Sequence, residues 1–324
     1  MIRRGYLTQD APKRKLGIPR FAMTDGPMSR ASPRPLDRLR AAYQYLLPHH
    51  PLSRFMHRLT RVHWTPVRLG LIRFIARRFG INIQEAAQTD IRAYEHFNAF
   101  FTRALKPGAR PLAQEPGALL CPADGVISQI GQVENGRIFQ AKGQDFGLGE
   151  LLGGDKELTQ ALEDGAFATI YLSPRDYHRI HMPLGGRLTR MLHVPGRLFS
   201  VAPHNVRAVP RLFARNERVV TAWDTEAGTV AQVLVGAIFV ASIETVWAGE
   251  VTPPAGKRIV RTVYDDGLRL NAGEEIGRFN MGSTVICIFP KGAVRWREDL
   301  RAGSTVRMGQ ALGDIRQTPH SAGA

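Results

Sequence analysis

Apolar positions follow two different textures along the chain. From about residue 36 to 105 they return at helical spacing. Leu52, Phe55, Met56, Leu59 and Val62 fall on one face of a helix, and Arg54, Arg58 and Arg61 share another. Trp64 and Pro66 interrupt. Leu71, Ile72, Ile75 and Phe79 then take one side of a second helix, with Arg73 and Arg77 opposite. Leu36–Leu47 and Tyr94–Leu105 complete this region, and the aromatic stripe Tyr94, Phe97, Phe100 and Phe101 reads as core. After Lys106-Pro107-Gly108 the pattern shortens to β-rich runs bounded by Gly, Pro and Asp: 125–130, 166–172, 187–194, 219–223, 230–240, 259–263 and 284–289. The prediction is an α+β fold, N-terminal amphipathic helices followed by a largely antiparallel β sandwich or barrel-like body. Gly273–Gly277 and Gly309–Gly313 echo each other weakly, each predicted as a hairpin turn with Gly at positive φ.

Three regions follow: a basic stretch with Pro and Gly and no periodicity over 1–35, read as a flexible arm; a cationic, membrane-associating helical region over 36–106; and the β-rich catalytic body over 107–324. With 324 residues the chain can bury a sizeable core. It has no run of about 18 apolar residues, so no membrane-spanning helix is expected, and Met1–Gly5 leads into basic residues rather than the apolar stretch of a secretory signal. Cys121 and Cys287 stand far apart with no CxxC, which argues against a disulfide framework or zinc finger and for a reducing compartment.

Charge separates the regions further. Residues 1–80 hold 17 Arg and Lys against three acids, whereas the remainder is close to neutral within a formal net charge of +16. An anionic partner surface is implied. Basic amphipathic helices favour a lipid interface, and no nucleic-acid-binding module accompanies the charge. The competing reading is that these helices simply pack on the protein's own core.

Three polar clusters could carry chemistry. In Pro122-Ala123-Asp124-Gly125 the Asp could be an ordinary turn residue. Ser173–Pro183 follows an apolar run and carries His178 and His181 three apart; structural, acid–base and metal roles compete, with no third ligand at recognisable spacing for a metal. Gly277–Thr284 opens the 284–289 run. There Gly282, lacking Cβ, would let the backbone bend until the Ser283 hydroxyl approaches the Gly282 carbonyl. That hydroxyl needs a base, and the base an orienting carboxylate; His181 and Asp124 are candidates. No G-x-S-x-G elbow surrounds Ser283, which argues against an α/β-hydrolase. A serine hydrolase acting on an external acyl group, a self-processing enzyme and a non-enzymatic basic protein with a carrier-like barrel all remain open on these residues alone.

From about Ala42 to Leu312 the chain resembles the phosphatidylserine decarboxylase family. The resemblance lies in ordered blocks: Phe100-Phe101-Thr102-Arg103, Leu105–Pro111, Pro122–Gly125, Ser173–Pro183, Leu212–Val219, Ser242–Gly249 and Gly277–Thr284. Met281 stands where the family's cleavage motif usually has Leu, a swap of similar volume. The resemblance implies a pyruvoyl-dependent, self-cleaving carboxy-lyase of phospholipid biosynthesis. It implies a zymogen cut between Gly282 and Ser283 into a large chain (1–282) and a small chain (283–324), with Ser283 converted to a covalent pyruvoyl group and no metal. It assigns Asp124 to orient His181, His181 to activate Ser283, and His178 to proton transfer in decarboxylation. Phosphatidylserine would join the pyruvoyl as a Schiff base, lose CO₂ and leave as phosphatidylethanolamine. A homodimer of processed units, peripheral on the cytoplasmic face of the cell membrane and binding no nucleic acid, is the expected assembly.

Overall fold

A computed structural model describes residues 35–316, except 142, 239, 241 and 253–257. The predicted 1–35 arm lies almost wholly outside the described residues. The α+β expectation holds: helices come first, and strands, all antiparallel within their sheets, make up the body.

The helical region begins with α1 (Pro35–Ala42), α2 (His49–Leu59) and α3 (Thr65–Phe79). Pro66 sits in the first turn of α3, where its missing N–H has no helical partner to lose, and Gly80 ends the helix in the left-handed conformation at φ 67°. The predicted 94–105 helix shortens to α4 (Phe97–Phe101), capped by His96 Nδ1 accepting from the Ala99 N–H at 3.0 Å.

The two amphipathic faces have different fates. Ile72 of α3 is buried among Tyr94, Phe97, Phe100 and Phe101, with Leu71, Ile75 and Phe79 against the same cluster. That face therefore serves the protein's own core, a correction to the expectation that it lies in a lipid interface. On α2 the inward residues are His49 and Ser53, while Phe55, on the predicted apolar face, is 60% exposed. Trp64 and Phe74 stand out at 68% and 62%. Arg61, grouped above with the free basic face, is tied to Glu250.

The main sheet runs in the order 260–263, 186–194, 218–225, 228–235, 284–289, 166–171, 125–132, 305–306, with 269–270 also paired to 186–194. Among the described residues its path is open rather than closed into a barrel. The predicted 230–240 strand spans Gly228–Val235 instead. Thr284–Phe289 is buried at every position, as expected of an apolar run between two neighbours, Ala166–Tyr171 and Gly228–Val235. A second sheet has the order 249–250, 243–245, 275–279, 179–181. The internal echo proves half a turn signal: Gly273 and Gly309 do take positive φ, at 83° and 85°, while Gly277 and Gly313 lie inside strands.

Two neighbouring chain segments cross between these sheets. One runs from Ala166–Tyr171 to Arg179–His181 and carries both histidines. The other runs from Glu275–Phe279 to Thr284–Phe289 and carries Gly282-Ser283. The strands pair in both sheets, so the crossings lie side by side. They are stitched at each end, by the Leu172 N–H to Ser283 O at 2.9 Å and the Phe279 N–H to His178 O at 3.0 Å.

Candidate active site

The predicted chemistry-bearing residues gather around these paired crossings. Ser283 is fully buried, and its Oγ has no hydrogen-bond partner. The unusual backbone angle lies one residue before Gly282, the residue expected to bend. Gly282 has no positive φ, and a Cβ there would meet only Leu172 O at 3.7 Å. Met281 instead adopts φ 124°, a conformation costing a non-glycine residue about 1–3 kcal/mol. Its side chain packs against the Phe97–Phe101 cluster, which holds the segment in place. On the other side Asn280 is buried. Its side chain donates to Ser242 Oγ and accepts from Asn98 Nδ2 at 3.0 Å, fixing the crossing to α4 and to the 243–245 strand.

His178 is also fully buried, its ring 4.1 Å from the Phe101 ring centroid. Its Nδ1 lies 2.8 Å from Asp176 O, so Nδ1 carries the proton, and Nε2 is left bare with no partner. Burial, with the Arg103 charge as a smaller influence, pushes its pKa down to about 3. The ring is neutral at physiological pH.

His181 is arranged similarly. Nδ1 faces Gly273 O at 2.8 Å and so donates, and Nε2 accepts from the Tyr177 hydroxyl at 3.2 Å. Burial lowers the His181 pKa, while burial raises that of Tyr177 to about 12, so the phenol keeps its proton. A neutral imidazole with its lone pair on Nε2 has the form a general base requires. Tyr177 lies within the Ser173–Pro183 block, and a tyrosine four residues before a histidine on a non-helical segment has no motif to mark it.

Asp124 enters from the start of the 125–132 strand. Gly125 lets it do so: a Cβ there would lie 2.3 Å from Tyr171 O. The Asp124 carboxylate accepts from Arg110 Nε at 2.8 Å, from Arg110 Nη2 and from the Met308 N–H at 2.9 Å. Arg110 also binds Glu85 at 2.8 Å, and these carboxylates hold its guanidinium firmly charged. In this arrangement Asp124 makes no hydrogen bond to His181, and Ser283 makes none to either histidine. Asp124 still acts on His181 through space, its negative charge favouring the protonated ring. Among the described residues no group of three His, Cys, Asp or Glu could hold a metal ion.

The paired crossings thus carry a buried, unpartnered serine next to a strained Met281 on one segment and two neutral imidazoles on the other. Comparison with known proteins says which class of protein carries them. Residues 97–314 match the phosphatidylserine decarboxylase family, and residues 39–80 match a family described as PSD. The chain is 58% identical over 287 residues to a phosphatidylserine decarboxylase proenzyme of Pseudomonas aeruginosa, covering 87% of this chain and 99% of that protein. A protein of the same name from Methylococcus capsulatus is 55% identical over 280 residues, covering 86% and 97%. The class is therefore that of the carboxy-lyases. More narrowly, the chain belongs to the phosphatidylserine decarboxylase family.

Proposed function

We propose that the chain is a proenzyme that cuts itself between Gly282 and Ser283 and then decarboxylates phosphatidylserine. The observation that carries this reading is the Ser283 hydroxyl, buried without a partner immediately after a strained Met281-Gly282 segment. An unsatisfied buried hydroxyl costs about 1–3 kcal/mol; Ser53, Thr169 and Thr284 also carry one, and Ser283 is set apart by following the strained Met281 and the Gly282 carbonyl.

In the first reaction His181 Nε2 takes the hydroxyl proton, and Ser283 Oγ attacks the Gly282 carbonyl. The amide nitrogen leaves as the Ser283 amine, and an ester joins Gly282 to Oγ. Removal of the Ser283 α-proton then breaks the Cβ–O bond and frees Gly282 as a carboxylate. The dehydroalanine tautomerises to an imine, takes up water and loses ammonia, which leaves a pyruvoyl group on the small chain. Tyr177 holds Nε2 until the serine takes its place, Gly273 O fixes the ring, and Asp124 stabilises the imidazolium as it forms. Apo hydrogen bonds of this kind often close only as reaction begins.

The residues fit a group formed at position 283, since Ser283, His178 and His181 are all buried and burial keeps both imidazoles neutral. When formed, that ketone supplies an electron sink for the pair left behind as CO₂ departs. His178 is our candidate for the proton that replaces CO₂, a reading supported by its bare Nε2 and by the hold of Asp176 O on the opposite nitrogen. Burial also disfavours the substrate carboxylate relative to the charge-dispersed transition state. The two chains stay together because the small chain's Thr284–Phe289 strand remains paired on both edges to strands of the large chain.

Exposed Phe55, Trp64 and Phe74 beside a basic surface support peripheral binding to anionic lipid. No helix among the described residues is long and apolar enough to cross a membrane. The family resemblance adds the cytoplasmic leaflet and a homodimer of processed units. The test of the cleavage chemistry is Ser283→Ala, which should remain a single 324-residue chain without decarboxylase activity; two fragments from that variant would refute the assignment.

A further inference from the structure

Arg103 follows α4 and is only 5% exposed, yet its Nε and Nη1 have no hydrogen-bond partner. Its guanidinium carbon lies 5.5 Å from the Phe100 ring centroid, and no carboxylate among the described residues forms an ion pair with it. The nearby acids are already committed, since Asp124 and Glu85 both bind Arg110. Asp124 and Glu85 favour the Arg103 charge only through space and hydrogen-bond elsewhere, so burial of the guanidinium with two unmet donors remains costly and leaves it open to an anion supplied from outside.

Position ties that anion to the reaction. Phe101, two residues earlier, stacks on His178, and Thr102 O accepts from Arg179 Nε at 3.0 Å. The 101–103 segment is thus fastened to the 178–179 crossing. The Arg103 charge is felt at the His178 ring, which it helps to keep neutral. Other cations nearby are engaged: Arg110 with Asp124 and Glu85, and Arg179 with Glu275 at 2.9 Å.

We propose that Arg103 grips the phosphodiester of the substrate lipid and so sets the headgroup in register with position 283. This rests on the reading above, in which the substrate is phosphatidylserine. That lipid offers two anions, a phosphodiester and a carboxylate. A guanidinium on the carboxylate would stabilise the group that must leave as CO₂, and would raise the barrier. The phosphodiester keeps its charge throughout the reaction, so a fork of N–H donors binds ground state and transition state alike. Arg103 then contributes to KM rather than to kcat.

The experiment compares wild type with Arg103→Gln and Arg103→Met, using soluble short-chain phosphatidylserine below its micelle concentration. Both variants should self-cleave fully and melt no lower than wild type, because an unpaired buried charge has been removed. KM should rise about 10- to 100-fold with kcat within about threefold. Arg103→Lys should recover part of the loss. An unchanged KM would overturn the proposal, as would a kcat collapse at unchanged KM, which would place Arg103 on the reacting centre. Variants that fold but stay uncleaved would also overturn it, assigning Arg103 to processing. Failure of the wild type itself to cleave or decarboxylate would instead refute the proposed function, so the two failures are distinguishable.

Discussion

Arg110 Nε lies 2.8 Å from Asp124 Oδ1, and the same guanidinium reaches Glu85 at 2.8 Å, which joins the start of the 125–132 strand to the segment below the helices. Both side chains of the Arg110–Asp124 pair are buried. Removing one partner leaves the other charge uncompensated, which typically costs about 3–5 kcal/mol. Arg110→Ala should therefore lose stability on that scale in urea melts. Because the freed carboxylate is then unanchored beside His181, self-cleavage should slow as well, measured as the half-life of the 324-residue chain on denaturing gels. Wild-type stability in this variant would show that the pair is incidental.

The two histidines are expected to separate the two reactions. His178→Ala should process normally, since its Nε2 is not the base assigned to Ser283, while decarboxylation falls about 10²- to 10⁴-fold, the usual worth of a proton-transfer group. An uncleaved His178→Ala would mean that the roles are divided wrongly.

His178 also predicts acid sensitivity. Its folded pKa is about 3 against an ordinary 6.5, so between these values the unfolded chain binds a proton that the folded chain does not. Stability from this residue is complete above about pH 6.5 and is lost as pH falls toward 3, at about 1.4 kcal/mol per pH unit. In an uncleaved Ser283→Ala background, adding His178→Gln should shrink the loss of unfolding free energy between pH 7 and pH 5 by about 2 kcal/mol. An identical loss in both proteins would contradict the buried neutral ring.

Lipid binding and core packing should be separable along the same helices. Phe55→Ser, Trp64→Ser and Phe74→Ser together should weaken binding to anionic vesicles with little change in melting temperature, and added salt should weaken it further. Ile72→Ala should do the reverse, costing about 2–5 kcal/mol of stability with vesicle affinity retained. Vesicle binding indifferent to salt and to all three exposed residues would remove the electrostatic and apolar basis for a membrane surface.

Local signals were legible where a single segment carries them. Thr284–Phe289 is an unbroken apolar run and forms a strand with those bounds, and the 186–194 and 166–171 strands also lie within a residue of expectation. Periodicity could identify the amphipathic faces of α2 and α3 but not what covers them. The aromatic cluster that claims Ile72 comes from residues 81–101, beyond the reach of a helical pattern. The site shows the same division. Asp124, His178, His181 and Ser283 stand in recognisable blocks, whereas the partners of Asp124 and His181 are Arg110, the Met308 N–H, Gly273 O and Tyr177, which no motif marks and which, for Met308 and Gly273, only the folded sheets bring near. Gly282 was legible as the residue free to bend, but the positive φ lies at Met281, which no local sequence signal marks.

Intact mass spectrometry of purified, active protein, before and after treatment with borohydride, tests the central chemistry most directly. The expected result is two chains, residues 1–282 and 283–324, the smaller without a free amino terminus and shifted in mass by reduction of its ketone. A fully active sample consisting of one unbroken 324-residue chain, unchanged by the hydride, would contradict the account.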